Sequence, residues 1–207
     1  MHELLRGSTG ELLENDAYWA GFERDYWQHG DPGFWKLERR QVFQDPDMPS
    51  WQAFARGDWD EAIRLGEALR PDIEDEYRKD AEAGIRSWWV KVVEKPVTPY
   101  VQWAFHVLRI RAQSGERMRV VGADQVKRFE EHQPLPEMIT LGSEVMYDLV
   151  YDDAGRQQGG IRIADREVVA RCQRFIADLY AAGEDAESFF QREIAGLAPP
   201  LIGIAGD

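Results

Sequence analysis

The chain has 207 residues, 43% of them hydrophobic and 12% aromatic, which is enough to bury a core of its own. Its formal net charge is −13, so it lacks the basic surface that recognition of a phosphate backbone requires. An anionic membrane surface would repel it for the same reason. We therefore expect no direct binding of nucleic acid and no membrane association; acidity of this size serves solubility or a basic partner.

Cysteine content and the N-terminal segment indicate where the protein works. Cys172 is the single cysteine, so no disulfide can form within the chain. No apolar run approaches the roughly 18 residues of a membrane span. The segment "MHELLRGSTGELLEND" does not have the basic start and long apolar stretch of a signal peptide. A cytoplasmic location is expected.

The N-terminal part is rich in tryptophan, and all eight tryptophans lie at or before Trp103. Apolar spacing within residues 9–28 predicts one or two helical turns, which "HGDPG" at 29–33 ends. We interpret residues 1–33 as a helical, Trp-rich extension of a single domain over residues 34–195. The segment "FWKLERRQVF" at 34–43 is the first predicted strand.

Three helices are predicted next. Ser50 is placed to cap a helix that stops at Gly57, and Asp58 to cap a second helix that ends near Arg70. A third helix over residues 72–84 is acidic, which fits either a solvent-exposed helix face or a surface that binds a basic protein.

The segment "RSWWVKVVEKPVTPYVQWAFHV" changes from a strand into a helix. Thr98 and Pro99 stand where an N-cap and a first helical residue belong. The apolar residues that follow predict a core-facing stripe. The opposite face carries Gln102, His106 and Arg109, which either orient a small anion and transfer protons or form a solvated polar face.

The C-terminal half predicts two further strands, at 118–121 and 138–142, then a hairpin and helices. The hairpin runs through "EVMYDLVYDDAGRQQGGIRIA", Asp165 caps an amphipathic helix, and a last helix is predicted from 184 to 194. Residues 196–207 form an irregular, apolar tail. The interleaving of strands and helices predicts an α/β (α+β) fold with a mixed sheet and flanking helices.

Motifs that define common catalytic sites do not occur. The sequence has neither GxxxxGK[ST] nor GxGxxG, and no GxSxG. No histidine has a second histidine or a cysteine at metal-ligand spacing. Cys172 falls on the apolar face of a helix, where a small buried thiol is expected. We therefore predict no cofactor, no metal and no recognised catalytic activity.

Several segments occur together in the order of a known family. The chain resembles a domain family of unknown function that is widespread in actinomycetes and often encoded near helix-turn-helix regulators. The features that carry the resemblance are a β-strand, a Glu-Pro turn, a Tyr-led aromatic helix, a hairpin and a closing helix: residues 88–93, 94–96, 100–107, 146–163 and 165–180. The N-terminal 30 residues and the tail lie outside this pattern.

The C-terminal half also resembles half of a phospholipase D-like fold, in a degenerate form. The catalytic signature of that fold is His-x-Lys followed by Asp. None of the four histidines here has a lysine two residues further on, so the resemblance implies the fold without its chemistry.

Three hypotheses about function follow. The first is a non-catalytic accessory or regulatory protein that contacts another protein, for which the resemblance implies a helix-turn-helix regulator. Its interaction residues would be N-terminal aromatics: Trp19, Trp27, Trp35, Trp51 and Trp59.

The second hypothesis is a small-molecule enzyme or carrier of a biosynthetic pathway. Its pocket would be lined by Trp88, Trp89 and Trp103, with His106 transferring protons and Arg109 pairing an anionic group. In the third, the tail over residues 199–207 inserts into a partner or a neighbouring subunit, which leaves a homodimer open.

Overall fold

The computed structural model describes residues 3–31 and 33–201. The helices are α1 (Asn15–Gln28), α2 (Pro49–Ala55), α3 (Trp59–Glu67), α4 (Arg70–Glu82), α5 (Pro99–Ser114), α6 (Ala123–Val126), α7 (Arg166–Ala182) and α8 (Ala186–Phe189). The strands are β1 (Glu11–Glu14), β2 (Phe34–Glu38), β3 (Ser87–Val93), β4 (Arg117–Gly122), β5 (Met138–Leu141), β6 (Val145–Tyr151), β7 (Gln157–Ile163) and β8 (Glu184–Asp185). Short 3-10 turns lie at Glu3–Leu5 and Lys127–Phe129, and a π-helical turn at Phe190–Ile194.

The strands form one mixed sheet in the order β1-β7-β6-β5-β2-β3-β4-β8. The three adjacent strands β2, β3 and β4 are parallel, and the other neighbouring pairs are antiparallel. The long connections through α2–α4 and α5 allow the parallel pairing, because parallel strands need a crossover rather than a tight turn. The predicted mixed α/β fold with flanking helices is confirmed.

The two faces of the sheet are covered differently. On one face, α7 packs Val169, Cys172 and Ile176 against Val90 and Val92 of β3. The opposite face carries two separate groups of helices, α1 over the antiparallel half and α2, α3 and α5 over the parallel half. Cys172 is buried within the α7 layer, as its helical position predicts.

The helical interpretation of residues 9–28 is wrong for Glu11–Glu14. These residues form β1, which pairs antiparallel with β7 at the edge of the sheet. Gly159 of β7 permits the approach, because a Cβ at this position would lie 2.1 Å from the carbonyl oxygen of Leu13. The N-terminal segment is therefore joined to the same sheet through β1, whereas the helix that follows it is present as α1.

Several predicted helix boundaries are confirmed by their caps. The side chains of Asp58, Thr98 and Asp165 accept hydrogen bonds from the backbone N–H groups of α3, α5 and α7. Ser50 is not a cap, because α2 begins at Pro49.

Two predicted segments are shorter or more divided than expected. The strand from Phe34 ends at Glu38, after which the chain leaves the sheet. The predicted last helix divides into β8, α8 and the π-helical turn, since Glu184–Asp185 pairs with the edge strand β4. Residues 202–207, half of the predicted tail over residues 196–207, lie outside the described residues.

Candidate functional site: a central cleft on the sheet

A cleft of about 880 Å³ lies between the two groups of helices on one face of the sheet. We call it the central cleft. Its lining includes residues of α1, α4, α5, β2, β3 and β6, and about a third of the lining residues are aromatic, among them Tyr18, Phe22, Phe34, Trp89, Tyr100 and Tyr151. Its volume falls in the roughly 300–1,000 Å³ range of small-molecule sites.

Packing of the helices explains why the cleft stays open. On one side, Tyr18 and Phe22 of α1 pack edge-on against Tyr147 of β6, with ring centroids 5.6 and 5.5 Å apart. On the other side, Trp103 of α5 stacks on Phe54 of α2 at 5.2 Å. Each helix group is held by its own aromatic contacts. The cleft lies between these two sets of contacts.

Strand alternation separates the two adjacent tryptophans of β3. Trp89 lies on the cleft face, whereas Trp88 stacks on Trp35 of β2 on the opposite face, with ring centroids 4.6 Å apart. Successive side chains of a strand point to opposite faces, so one pocket cannot hold both residues. Of the three predicted pocket tryptophans, Trp89 and Trp103 line the central cleft, and Trp88 does not.

Lys36 of β2 provides a positive charge at the base of the central cleft. Its ammonium nitrogen lies 3.7 Å from the centre of the Trp89 ring and 3.0 Å from a carboxylate oxygen of Glu38. Both contacts satisfy the cation, the first through the ring's negative face. The lysine is therefore fixed between a ring and a carboxylate.

A second lysine, Lys91 of β3, is completely buried. Its ammonium group donates to Glu38 at 2.5 Å and to the carbonyl oxygen of Arg40 at 2.6 Å. Burial opposes ionisation of Glu38, but the two lysines outweigh it and hold its pKa below the ordinary value. Burial and then repulsion by Glu38 raise the pKa of nearby Glu137 to about 7.

Three further carboxyl groups line the central cleft, and each accepts a hydrogen bond from a tyrosine hydroxyl. Tyr26 donates to Asp80 at 2.6 Å, and Tyr77 donates to Glu116. The third contact, from Tyr100 to Asp45, is longer, at 3.4 Å. Burial is the largest influence on all three carboxyl groups and raises their pKa values.

The predicted catalytic face of α5 lies outside the central cleft and is covered by the C-terminal segment. Gln102 is buried and donates to the carbonyl oxygen of Ala198 at 2.9 Å. Arg109 pairs with Glu187 at 3.0 Å and lies over the Phe190 ring. This face is therefore neither fully solvated nor an open pocket.

His106 lies between two aromatic rings on that same face. Its ring is 5.6 Å from Trp59 and 5.1 Å from Phe190, edge-on to both. Burial and the neighbouring Arg109 charge lower the pKa of the imidazole. These contacts make it a packed histidine rather than a group aimed at a ligand.

The five tryptophans predicted for protein contact differ in exposure. Trp19 and Trp27 on α1 are 58% and 51% exposed and lie at the opening of the central cleft. The other three, Trp35, Trp51 and Trp59, are partly buried against the core. A free aromatic surface is thus confined to α1 among these residues.

The fold and the cleft define a mixed α/β protein with an aromatic cavity on its sheet. Within the described ranges, 3–31 and 33–201, no group of three or more histidine, cysteine or carboxylate residues is arranged to hold a metal. No helix in that part of the chain is long and apolar enough to cross a membrane. The chain belongs to the family described as Domain of unknown function (DUF6879), whose model matches residues 22–191. A comparison with curated proteins gives no match.

Proposed function

We propose that this protein is a non-catalytic binding protein whose central cleft takes a small organic molecule. The observation that carries the proposal is the cavity of about 880 Å³ with aromatic side chains on both sides and on the sheet beneath. Phe22, Phe34 and Tyr151 are only partly buried, and a flat or apolar body that covered their remaining exposed surface would be stabilised.

Binding is favoured over catalysis by the state of the ionisable groups. Lys36 and Lys91 are both paired with Glu38, which leaves neither lysine as a free base or nucleophile. His106 and Arg109, the candidates for proton transfer and anion pairing, are engaged on another face by aromatic rings and by Glu187. An accessory or carrier role is consistent with these contacts.

A cleft-filling substitution tests this proposal. Ala104 of α5 lines the central cleft, so Ala104→Phe should place a ring inside it and abolish binding of any ligand found by thermal-shift screening of aromatic compounds. Ala112, on the same helix but outside the cleft lining, is the matched control as Ala112→Phe. Retention of ligand affinity by Ala104→Phe, measured by titration calorimetry, would contradict the proposal.

A second candidate function is docking of a protein partner, and exposure of Trp19 and Trp27 favours it. The resemblance noted from the sequence implies a helix-turn-helix regulator as that partner. The double variant Trp19→Ala/Trp27→Ala should weaken binding of the purified regulator at least about tenfold. Leu197→Ala, which changes an exposed residue of the C-terminal segment, should not. Equal affinities for both variants and the native chain would remove this candidate.

A further inference from the structure

The central cleft has an imbalance of charge. Among the described residues, eight acidic ones contribute to its lining, against three basic ones. All three basic residues already have acidic partners within 4 Å: Lys36 pairs with Glu38, Lys79 with Asp75, and Arg111 with Glu76. The cleft therefore carries an excess of negative charge.

Three of the acidic residues have no cation of another described residue within 4 Å, although Lys36 or Arg111 acts on each of them from further away. Asp45, Asp80 and Glu116 form no ion pair with any other described residue and accept from tyrosine hydroxyls instead. Glu116 is 92% buried, since its exposed fraction is 8%, and its Oε1 atom has no hydrogen-bond partner in the described part of the chain. A buried carboxylate with no cation in direct contact is costly, and a cation brought to it is stabilised in turn.

The aromatic lining suits the same kind of ligand. An ammonium group is attracted to the face of an aromatic ring within about 6 Å of its centre. Lys36 already makes this contact with Trp89 inside the cleft, at 3.7 Å. Tyr26 and Tyr77 place further rings beside the two carboxylates to which they donate, Asp80 and Glu116.

Resting on the proposed function, we propose that the ligand of the central cleft is an organic cation, an amine carried on an aromatic or alkyl body. The rings would cover the apolar body, and the carboxylates near α4 would face the ammonium group. An anionic ligand is disfavoured because the lysines and the arginine of the lining are already paired.

Three probes with the same indole body separate charge from shape: tryptamine is cationic, tryptophol neutral and indole-3-propionate anionic. In calorimetric titrations of the native chain at neutral pH, tryptamine should bind about tenfold more tightly than tryptophol, and indole-3-propionate more weakly than both. Tryptamine affinity should also fall as the pH is lowered through the raised carboxyl pKa values, because protonation removes the negative charges. The affinity for tryptophol should not change.

The double variant Asp80→Asn/Glu116→Gln tests whether these two carboxylates cause the preference for the cationic probe. It should reduce the tenfold preference for tryptamine to about twofold or less while tryptophol binding is kept, which also shows that the cleft is intact. The control, Glu74→Gln/Glu82→Gln, removes two exposed carboxylates of α4, the helix of Asp80. Neither lines the cleft, so this variant should keep the preference.

The outcomes separate the two proposals. If tryptophol or indole-3-propionate binds as tightly as tryptamine, and Ala104→Phe abolishes that binding, the cleft is a binding site but its ligand is not a cation. If tryptamine shows no binding, the cation proposal is overturned. Tryptamine binding that survives Ala104→Phe would overturn the cleft itself as the site.

Discussion

Replacement of Lys91 by methionine is expected to lower the free energy of unfolding by about 3–5 kcal/mol. Lys91 is completely buried, and its ammonium group supplies a counter-charge to Glu38 and a donor to the carbonyl oxygen of Arg40. Without Lys91, Glu38 keeps only Lys36 as a cationic partner. The carbonyl oxygen of Arg40 also loses the hydrogen bond that Lys91 donates to it. Urea unfolding followed by circular dichroism measures the change.

Two further variants make this prediction specific. Lys95→Met removes a surface lysine, 62% exposed, that pairs with Glu193, and should cost no more than about 1 kcal/mol. Adding Glu38→Gln to Lys91→Met removes the buried carboxylate that has lost one of its two lysine partners and should recover part of the lost stability. A Lys91→Met protein as stable as Lys95→Met would show that the buried pair is not needed.

Trp103→Ala should lower the free energy of unfolding by a similar amount, about 3–5 kcal/mol. The substitution leaves a cavity in the core that α2, α3 and α5 form over the parallel half of the sheet. The Trp103 ring stacks on Phe54 and meets Tyr100 at 5.4 Å. Its indole N–H donates to the hydroxyl of Ser50 at 3.0 Å, which in turn donates to the carbonyl oxygen of Ala62 at 2.7 Å. One side chain thus joins α5 to α2 and α3.

Thermal unfolding of matched variants checks this role. Trp103→Phe keeps an aromatic ring but loses the hydrogen bond, so it should cost less than the alanine variant. Trp27→Ala, at a position that is 51% exposed, should change stability by about 0.5 kcal/mol or less. Similar costs for Trp103→Ala and Trp27→Ala would mean that Trp103 is not part of the core.

Local features of the fold were predictable because they depend on neighbours in the sequence. Asp58, Thr98 and Asp165 cap helices where the sequence places them, since a cap and the N–H groups it binds are two or three residues apart. Strand β1 was missed because it is four residues long and depends on β7, about 150 residues away in the chain.

The central cleft depends on contacts that one segment does not contain. Trp89 and Trp103 were predicted to share a pocket. Tyr18 and Phe22 reach the cleft only because α1 packs on the sheet, and Tyr151 because β6 pairs within it. A charged residue within the apolar strand "SWWVKVV" was the available signal for the buried pair. Its partner Glu38 lies on β2, which only the pairing of β2 with β3 identifies.

The indole N–H signals of the eight tryptophans give the most direct test of the central cleft. In a ¹⁵N-labelled sample titrated with tryptamine, we expect the signals of Trp89 and Trp103 to shift, because both residues line the cleft. Signals of Trp35 and Trp88, which stack together on the opposite face, should stay in place and serve as internal controls. Shifts of Trp35 and Trp88 without shifts of Trp89 and Trp103 would contradict binding in the central cleft.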